Sequence, residues 1–154
     1  MPLSLQEIAD RLEIQDLIFH YADIIDSKNF DELRSVFTSD AYIDYSETGG
    51  AVGNIDEIIA FLHAAMKKFP NTQHLNANIQ IDVDKDTATG RVMCFNPMEM
   101  AVAQGTHTFM LGIWYIDRYV RCAEGWRIKE RVEQHSWQFN FPESIDKNWQ
   151  TDNS

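Results

Sequence analysis

The chain has 154 residues, of which 44% are apolar and 12% are aromatic, enough for one ordinary domain with a buried core. Its 24 acidic residues outnumber 13 basic ones and give a net charge of -11, which repels nucleic-acid phosphates and anionic lipid surfaces. We therefore expect neither nucleic acid nor a membrane as a partner.

The N-terminal segment and the cysteines argue against export and against a metal. The segment "MPLSLQEIADRLE" has no basic stretch followed by an apolar one, and no apolar run approaches the roughly 20 residues of a membrane span. Cys94 and Cys122 fall in predicted strands, without a CxxC pair, and we interpret them as small apolar residues. No His spacing typical of zinc occurs. We expect a cytoplasmic protein with no metal.

Three helices are predicted from N-cap signals, in which Ser or Asn is followed three residues later by Glu. The pairs are Ser4 with Glu7, Asn29 with Glu32, and Asn54 with Glu57. The first helix is predicted over about 4–26, the second is short and runs through Phe37, and the third is closed by Pro70.

After the third helix the apolar period changes from helical spacing to two, which predicts strands. The predicted strands are an early one at 41–46, before the glycine-rich loop 48–53, and four long ones at 74–83, 87–103 with an interruption at Pro97, 106–122 and 126–141. Helices followed by an antiparallel meander indicate an α+β domain, with helices on one face of a curved sheet. We expect one domain over 1–140 and a tail at 141–154, whose Trp149 is a candidate for docking.

Three segments carry a resemblance to a known family: "EIQDLIFHYADIIDSKNFDELRSVFTSDAYIDY", "TQHLNANIQIDVDKDTATGRV" and "GWRIKERVEQHSW". Together they resemble the SnoaL-like branch of the nuclear transport factor two superfamily, whose fold is the cystatin-like α+β cone. The resemblance covers about residues 4–140 and is closest to relatives of scytalone dehydratase, bile-acid dehydratase and hexachlorocyclohexane dehydrochlorinase. In those relatives a Tyr, an Asp five residues later and a His 48 residues after the Asp converge in one pocket. Tyr21, Asp26 and His74 keep both spacings.

The resemblance implies that Asp26 orients His74 as a general base and that Tyr21 hydrogen-bonds the substrate, which suits the chemistry of these side chains. Helical geometry places Tyr21 in the apolar stripe and Asp26 about 140° away, so Asp26 reaches a pocket only if the helix breaks at "SKN". Asp23 is interpreted as a surface acid. Strand alternation puts His74 with Asn76 and Asn78, opposite Leu75, Ile79 and Ile81, and leaves open whether it meets a pocket or water.

Two further candidates come from the strands. In dehydrochlorinase-like relatives an arginine on the last strand helps to bind the leaving anion, and Arg131 lies one residue from that place in a gap-free count. Alternation groups Arg131 with Lys129 and Glu133, as on a solvated face. Tyr42 and Tyr45 have opposite parity, so only one can face inward; Tyr45 is the candidate, with the choice open. The expected substrate walls are Met93, Phe95, Met98, Phe109 and Trp114.

The resemblance implies a cofactor-independent lyase that performs dehydratase-like β-elimination on a small apolar cyclic or polyketide-like substrate. One alternative is a non-catalytic ligand-binding or subunit module, favoured if Tyr21, Asp26 and His74 disperse. Another is a ketosteroid-isomerase-like proton-transfer enzyme, favoured by an acid in an apolar pocket without a histidine partner. Both faces of the 106–122 strand are apolar, which predicts a homo-oligomer, either a trimer or a dimer.

Overall fold

The two α-helices begin where the cap signals place them. A computed structural model describes residues 2–143, with helix α1 at Leu5–Ser27 and helix α2 at Ile55–Ala65. At α1, Ser4 Oγ accepts from the Glu7 N–H (3.2 Å) and the Glu7 carboxylate accepts from the Ser4 N–H (2.8 Å). Asn54 and Glu57 form the same capping box at α2, with distances of 3.0 and 2.9 Å. Trp149 lies outside the described residues.

The second predicted helix is only partly correct. Phe30–Ser35 forms a short 3-10 helix, and the Asn29 side chain makes no capping hydrogen bond. Phe37, expected to end this helix, begins a strand. The capping signal is therefore wrong here, because six residues in the tighter 3-10 form leave no room for an α-helical first turn.

Within residues 2–143, seven strands form one sheet on which the helices pack. They are β1 (Phe37–Asp44), β2 (Val52–Gly53), β3 (Asn71–Thr72), β4 (Leu75–Asp84), β5 (Thr87–Val102), β6 (Gly105–Cys122) and β7 (Gly125–Phe139). Their order is β2-β1-β7-β6-β5-β3, with β4 also paired to β5, and among these pairings only β1 with β7 is parallel. The predicted α+β fold, helices on a curved and mostly antiparallel sheet, is confirmed.

Pro97 does not interrupt β5, contrary to the prediction. Its carbonyl accepts a hydrogen bond from the Gln73 N–H (3.0 Å), and Gln73 lies in the gap between β3 and β4. Because the N–H and C=O of a strand residue point to the same side, the missing N–H of Pro97 also faces that gap. The pairing with β6, in which Pro97 lies opposite Met110, therefore loses no donor.

The inner face of the sheet carries the core. On β6, alternate residues are buried against the helices: Phe109, Leu111, Ile113, Tyr115, Asp117 and Tyr119. The α1 residues Ile14, Ile18, Tyr21 and Ile25 pack in the same buried cluster. The other parity of β6, including Met110 and Trp114, forms the outer face and is half-buried. Both faces of this strand were predicted to be apolar. One of them lies in the core and the other lies outside it.

Three β-bulges, one in β4 and two in β7, change which residues of these strands point inward. In β4, Ala77 pairs with Met93 but Gln80 pairs with Arg91, so β4 holds one extra residue, and Asn78 has a positive φ of 46°. In β7, Ile128 and Glu130 pair with the adjacent residues Tyr119 and Arg118, which leaves Lys129 as an extra residue. Further along β7, Ser136 is extra in the same way, because His135 and Trp137 pair with the adjacent residues Ile113 and Gly112. Each bulge reverses the inward parity of everything beyond it.

An ion pair between Asp10 and Arg121 joins the first half of α1 to the sheet. Asp10 is 2% exposed, and its two carboxylate oxygens accept from Arg121 of β6 at 2.8 and 2.9 Å. The indole N–H of Trp126 also donates to Asp10 (3.1 Å). These contacts, led by the Arg121 hydrogen bonds and opposed by burial, lower the pKa of Asp10 to about 2. No helix within residues 2–143 is long and apolar enough to cross a membrane.

Candidate active site

Asp26 and His74 are in direct contact. Asp26 Oδ1 lies 2.6 Å from His74 Nδ1, and Asp26 Oδ2 accepts from the backbone N–H of His74 at 2.9 Å. Thr72 Oγ1 donates to Asp26 at 2.9 Å. Partial burial raises the pKa of Asp26, but these hydrogen bonds and the His74 ring outweigh burial and hold it below the usual value. Asp26 is therefore an ionised acceptor that fixes the His74 ring.

The end of α1 explains how Asp26 reaches His74 although helical spacing places it away from the apolar stripe. The helix stops one residue later, and Lys28 takes the left-handed conformation (φ 61°) that closes it. Lys28 Nζ donates to the carbonyl of Pro70 at 3.0 Å, so this turn of the chain lies against the segment before β3. Asp26 thus faces the junction between β3 and β4, where His74 is located, and not the centre of the core.

His74 lies on the inner side of the sheet because of the bulge at Asn78. Alternation placed His74 opposite Ile79 and Ile81, whereas the less exposed positions run through His74 and Asn76 before the bulge and Ile79 and Ile81 after it. The Asn76 amide reaches the Ile18 carbonyl of α1 (3.5 Å), on the same side. The prediction that His74 and the isoleucines point to opposite faces of the sheet was wrong, because the extra residue of the bulge shifts the alternation.

A cavity of about 90 Å³ lies between α1, α2 and the inner face of the sheet. His74 and Tyr21 both line it, so the dyad and the phenol predicted from the spacing are brought together. Most of the wall is apolar and includes Ile25, Leu62, Met98 and Phe109. This volume is several times the roughly 10–15 Å³ that one water needs, so a small organic group or several waters would fit.

Two phenols form a hydrogen-bonded pair in the cavity wall. Tyr21 Oη and Tyr45 Oη are 2.7 Å apart, and both rings are almost fully buried. Burial raises the pKa of Tyr21 and of Tyr45 well above the usual value, so both stay neutral. Either oxygen can donate to the other. One O–H is used in that bond and the second remains able to donate to a ligand.

Tyr45, and not Tyr42, faces the cavity. Tyr45 is 4% exposed and lines the wall, whereas Tyr42 is 47% exposed and donates to Asp44. Strand alternation predicts that only one of these two tyrosines faces inward, but it does not say which one.

Glu133 is a cavity residue that the sequence analysis missed. It is buried, lines the cavity, and its Oε2 accepts a hydrogen bond from Thr48 Oγ1 in the glycine-rich loop. Burial raises the pKa of Glu133 to about 7, against the lowering effects of Thr48 and Arg131. Alternation had placed Glu133 on a solvated face. The available signal was the adjacent charged pair Lys129 and Glu130, which breaks the alternation where the bulge lies.

Asn96 supplies a second unforeseen polar group. It is 4% exposed, lines the cavity, and its Oδ1 is buried without a hydrogen-bond partner among the described residues. Leu75 pairs with Phe95, and Gln73 bonds Pro97, so Asn96 on β5 lies directly across from His74. A buried amide left without partners is costly unless a ligand or water satisfies it.

Arg131 is buried and does not line the cavity. Its guanidinium donates to both carboxylate oxygens of Asp117, at 2.8 and 2.6 Å, and lies 4.2 Å from the Tyr21 ring centre and 4.1 Å from that of Tyr115. The interpretation of a solvated face was wrong because the bulge at Lys129 turns Arg131 inward. Nor does the expected contact with a leaving anion fit, since Asp117 already neutralises the guanidinium.

The predicted apolar walls divide between the two faces of the sheet. Met98 and Phe109 line the cavity. Met93, Phe95 and Trp114 do not, because their strand parity places them on the outer face, which turns away from the helices. Within residues 2–143, no three His, Cys, Asp or Glu side chains converge as metal ligands would.

Comparisons with known proteins agree with this fold. The sequence model of a family described as a SnoaL-like domain matches residues 6–132. An uncharacterized protein of Mycobacterium tuberculosis is 46% identical over 136 residues, which is 88% of this chain and 92% of that protein.

Solved structures with a similar fold include two whose names denote eliminations. A candidate scytalone dehydratase from Novosphingobium aromaticivorans is 23% identical with a TM-score of 0.77, covering 88% of this chain and 89% of that chain. A hexachlorocyclohexane dehydrochlorinase from Novosphingobium barchaimii is 17% identical with a TM-score of 0.75, covering 87% and 91%. At these identities the similarity establishes the fold.

Proposed function

The chain belongs to the SnoaL-like domain family, and we propose that it is a cofactor-independent lyase that removes water from a small, mostly apolar substrate by base-assisted β-elimination. The observation that carries this proposal is the 2.6 Å contact of Asp26 Oδ1 with Nδ1 of His74, whose side chain lines the cavity. Two fold neighbours bear names that denote eliminations, a dehydratase and a dehydrochlorinase, which supports the reaction class.

The arrangement suits removal of a proton from carbon. Asp26 accepts from Nδ1–H, which leaves Nε2 of the neutral ring as the basic nitrogen, and Nε2 has no hydrogen-bond partner among residues 2–143. Nε2 takes a proton from the carbon beside an activating carbonyl, and that electron pair forms the C=C bond as the C–O bond to the leaving hydroxyl breaks. The Asp26 carboxylate stabilises the imidazolium so formed.

Neutral donors would hold the substrate carbonyl. The Tyr21 and Tyr45 pair keeps one O–H free to donate to that carbonyl. Asn96, across from His74, offers its Oδ1 as an acceptor for a substrate hydroxyl. A donor aimed at the developing enolate oxygen lowers the barrier, because the negative charge appears there only as the proton leaves. The apolar remainder of the wall favours a cyclic or polyketide-like compound of modest size.

The proposal can be tested with a panel of small cyclic β-hydroxy ketones, whose dehydration gives a conjugated product with a new absorbance. We expect the native protein to convert at least one compound with loss of one water by mass spectrometry, and His74→Ala to be inactive. His20→Ala, which changes an exposed histidine of α1, is the matched control and should behave as the native protein. Tight binding of panel compounds with no conversion of any would favour the non-catalytic ligand-binding module.

A ketosteroid-isomerase-like proton transfer is the second candidate, favoured by one observation. Glu133 is a buried carboxyl in an apolar cavity, and no histidine is hydrogen-bonded to it within the described residues. An isomerase would convert the substrate without any change of mass, so the same mass spectra separate the two reactions. The convergence of Tyr21 and the His74 pair on one cavity argues against a dispersed, non-catalytic site.

A further inference from the structure

Building on the proposed elimination, we propose that Glu133 is the general acid of the site, which protonates the leaving hydroxyl while His74 takes the proton from carbon. Both side chains line the same small cavity, so one ligand can touch both. The spacing of Tyr21, Asp26 and His74 did not predict a role for Glu133.

Thr48 fixes the orientation of the carboxyl. Its hydroxyl has one proton and two acceptors in reach, Glu133 Oε2 and the Tyr45 carbonyl at 3.0 Å. The Tyr45 carbonyl already accepts from the backbone N–H groups of Thr48 (3.2 Å) and Gly50 (2.7 Å). The hydroxyl proton is therefore available to Oε2, which makes Oε2 the acceptor oxygen of the carboxyl.

The other oxygen, Oε1, is left for a ligand. It makes no hydrogen bond with any residue of the described chain, 2–143, although Glu133 is only 7% exposed. In a neutral carboxyl whose Oε2 accepts from Thr48, the proton resides on Oε1. This gives the cavity an O–H donor in addition to the phenol pair.

The surroundings of Glu133 keep a substantial fraction of its carboxyl protonated at neutral pH. The charged and titratable groups that act on Glu133 are Arg131 and its partner Asp117, Asp44, and the neutral side chains of Tyr21, Tyr45, Tyr115 and Cys94. The Arg131 charge is balanced by Asp117. Burial is the dominant effect and raises the pKa of Glu133 to about 7, so both charge states are populated near neutrality.

His74 and Glu133 together account for both protons that move in the reaction. His74 Nε2 takes the proton from carbon, the C–H electron pair becomes the second bond of C=C, and the C–O bond breaks. The departing oxygen takes the proton of Glu133 Oε1, so water leaves instead of hydroxide. The imidazolium then releases its proton to solvent and the Glu133 carboxylate takes one up, which restores both groups. Such a step requires a base that is unprotonated and an acid that is protonated when the substrate is bound.

Two measurements on the full chain test this inference. Carbon-13 labelling of the glutamate carboxyls, with Glu133 assigned through Glu133→Gln, should show its NMR titration midpoint near 7. The kinetic test compares one ring system carrying either hydroxide or acetate as the leaving group. Glu133→Gln should slow loss of hydroxide by roughly 10²- to 10⁴-fold and leave loss of acetate nearly unchanged, because acetate needs no proton to depart. Glu130→Gln, on the same strand but partly exposed, is the matched control and should match the native protein.

The possible outcomes separate this inference from the proposed function. A Glu133 midpoint near the ordinary carboxyl value of about 4.3 overturns the inference. So does an equal effect of Glu133→Gln on both leaving groups, or no effect on either, in a protein whose activity still requires His74. A native protein that converts neither compound overturns the elimination itself, and the role of Glu133 in it.

Discussion

One carboxylate, that of Asp26, holds both the backbone and the ring of His74. Oδ2 accepts from the His74 N–H at 2.9 Å while Oδ1 lies 2.6 Å from Nδ1. The first bond fixes the position of the residue and the second fixes the tautomer and the ring plane. His74 is therefore held from two directions by a residue 48 positions away in the chain.

The first prediction separates Asp26 from its neighbour Asp23. Asp26→Asn keeps the volume but loses the charge that stabilises the imidazolium, so turnover should fall roughly 10²- to 10⁴-fold with the fold retained. Asp23→Asn changes an exposed acid of the same helix and should have no effect. Steady-state kinetics and circular dichroism check both variants. Equal activity of the two would remove Asp26 from the mechanism.

The second prediction concerns pH and Glu133. Its pKa is raised in the folded state from 4.5 to about 7, so the stability it contributes is complete below about 4.5 and is lost as pH rises through 7. Glu133→Gln should therefore gain stability relative to the native protein, on the order of 3 kcal/mol, between pH 4.5 and pH 8. Urea unfolding at both pH values measures this. A pH-independent difference would mean that Glu133 titrates alike in the folded and unfolded chains.

The third prediction has the opposite sign and concerns Asp10. Its pKa is lowered from 3.8 to about 2, so its contribution is present above about 3.8 and is lost as pH falls towards 2. Asp10→Asn should destabilise the protein at neutral pH by roughly 1–3 kcal/mol, because Arg121 loses its buried partner. The difference from the native protein in urea unfolding should shrink between pH 4 and pH 2. Asp16→Asn, an exposed acid on α1, should leave that curve unchanged.

The fourth prediction assigns Arg131 to the core. Arg131→Met leaves the Asp117 carboxylate buried without its partner and should cost roughly 3–5 kcal/mol of unfolding free energy. The double variant Arg131→Met with Asp117→Asn should recover most of that loss, since no buried charge remains. A double-mutant cycle in urea provides the measurement. Arg131→Met with native stability but no turnover would instead indicate direct contact with the ligand.

The fifth prediction concerns assembly through the outer face of the sheet. Phe95 and Trp137 stack there with ring centres 5.9 Å apart, and Trp137 is 43% exposed. We expect this apolar face to pair with further copies of the chain as a dimer or trimer, measured by light scattering at micromolar concentration. Trp137→Glu should lower the mass to that of a monomer. Leu5→Glu, at an exposed apolar residue of α1, should not, and a monomeric native protein would contradict the prediction.

The helix caps followed directly from the sequence, whereas the apolar pattern of β6 did not say which of its two faces points inward. The pairs Ser4 with Glu7 and Asn54 with Glu57 are local, so a few residues determine them. The 3-10 helix after Asn29 shows the limit of that approach, because the same signal precedes a segment too short for an α-helix. Asp26 illustrates a different limit. Its partner His74 lies beyond the end of α1, and the direction of the chain at that end depends on Lys28.

Errors at His74 and Arg131 have one physical cause. Alternation assumes that a strand keeps its parity, and the extra residue of the β4 bulge and the extra Lys129 in β7 reverse it. The apolar pattern of β4 shows no sign of this, because Leu75, Ala77 and Ile79 continue the period through Asn78. The spacing from Asp26 to His74 does not depend on parity, and the structure brings these two residues into contact.

The bond from the His74 amide to Asp26 has a consequence for dynamics. That hydrogen is held by a side chain of α1 and not by a neighbouring strand, so it exchanges for deuterium when Asp26 releases it. The exchange rate of this single amide therefore reports how often the last turn of α1 lifts from the β3–β4 junction. Slow exchange in the ligand-free protein would mean that the dyad is assembled before any substrate arrives.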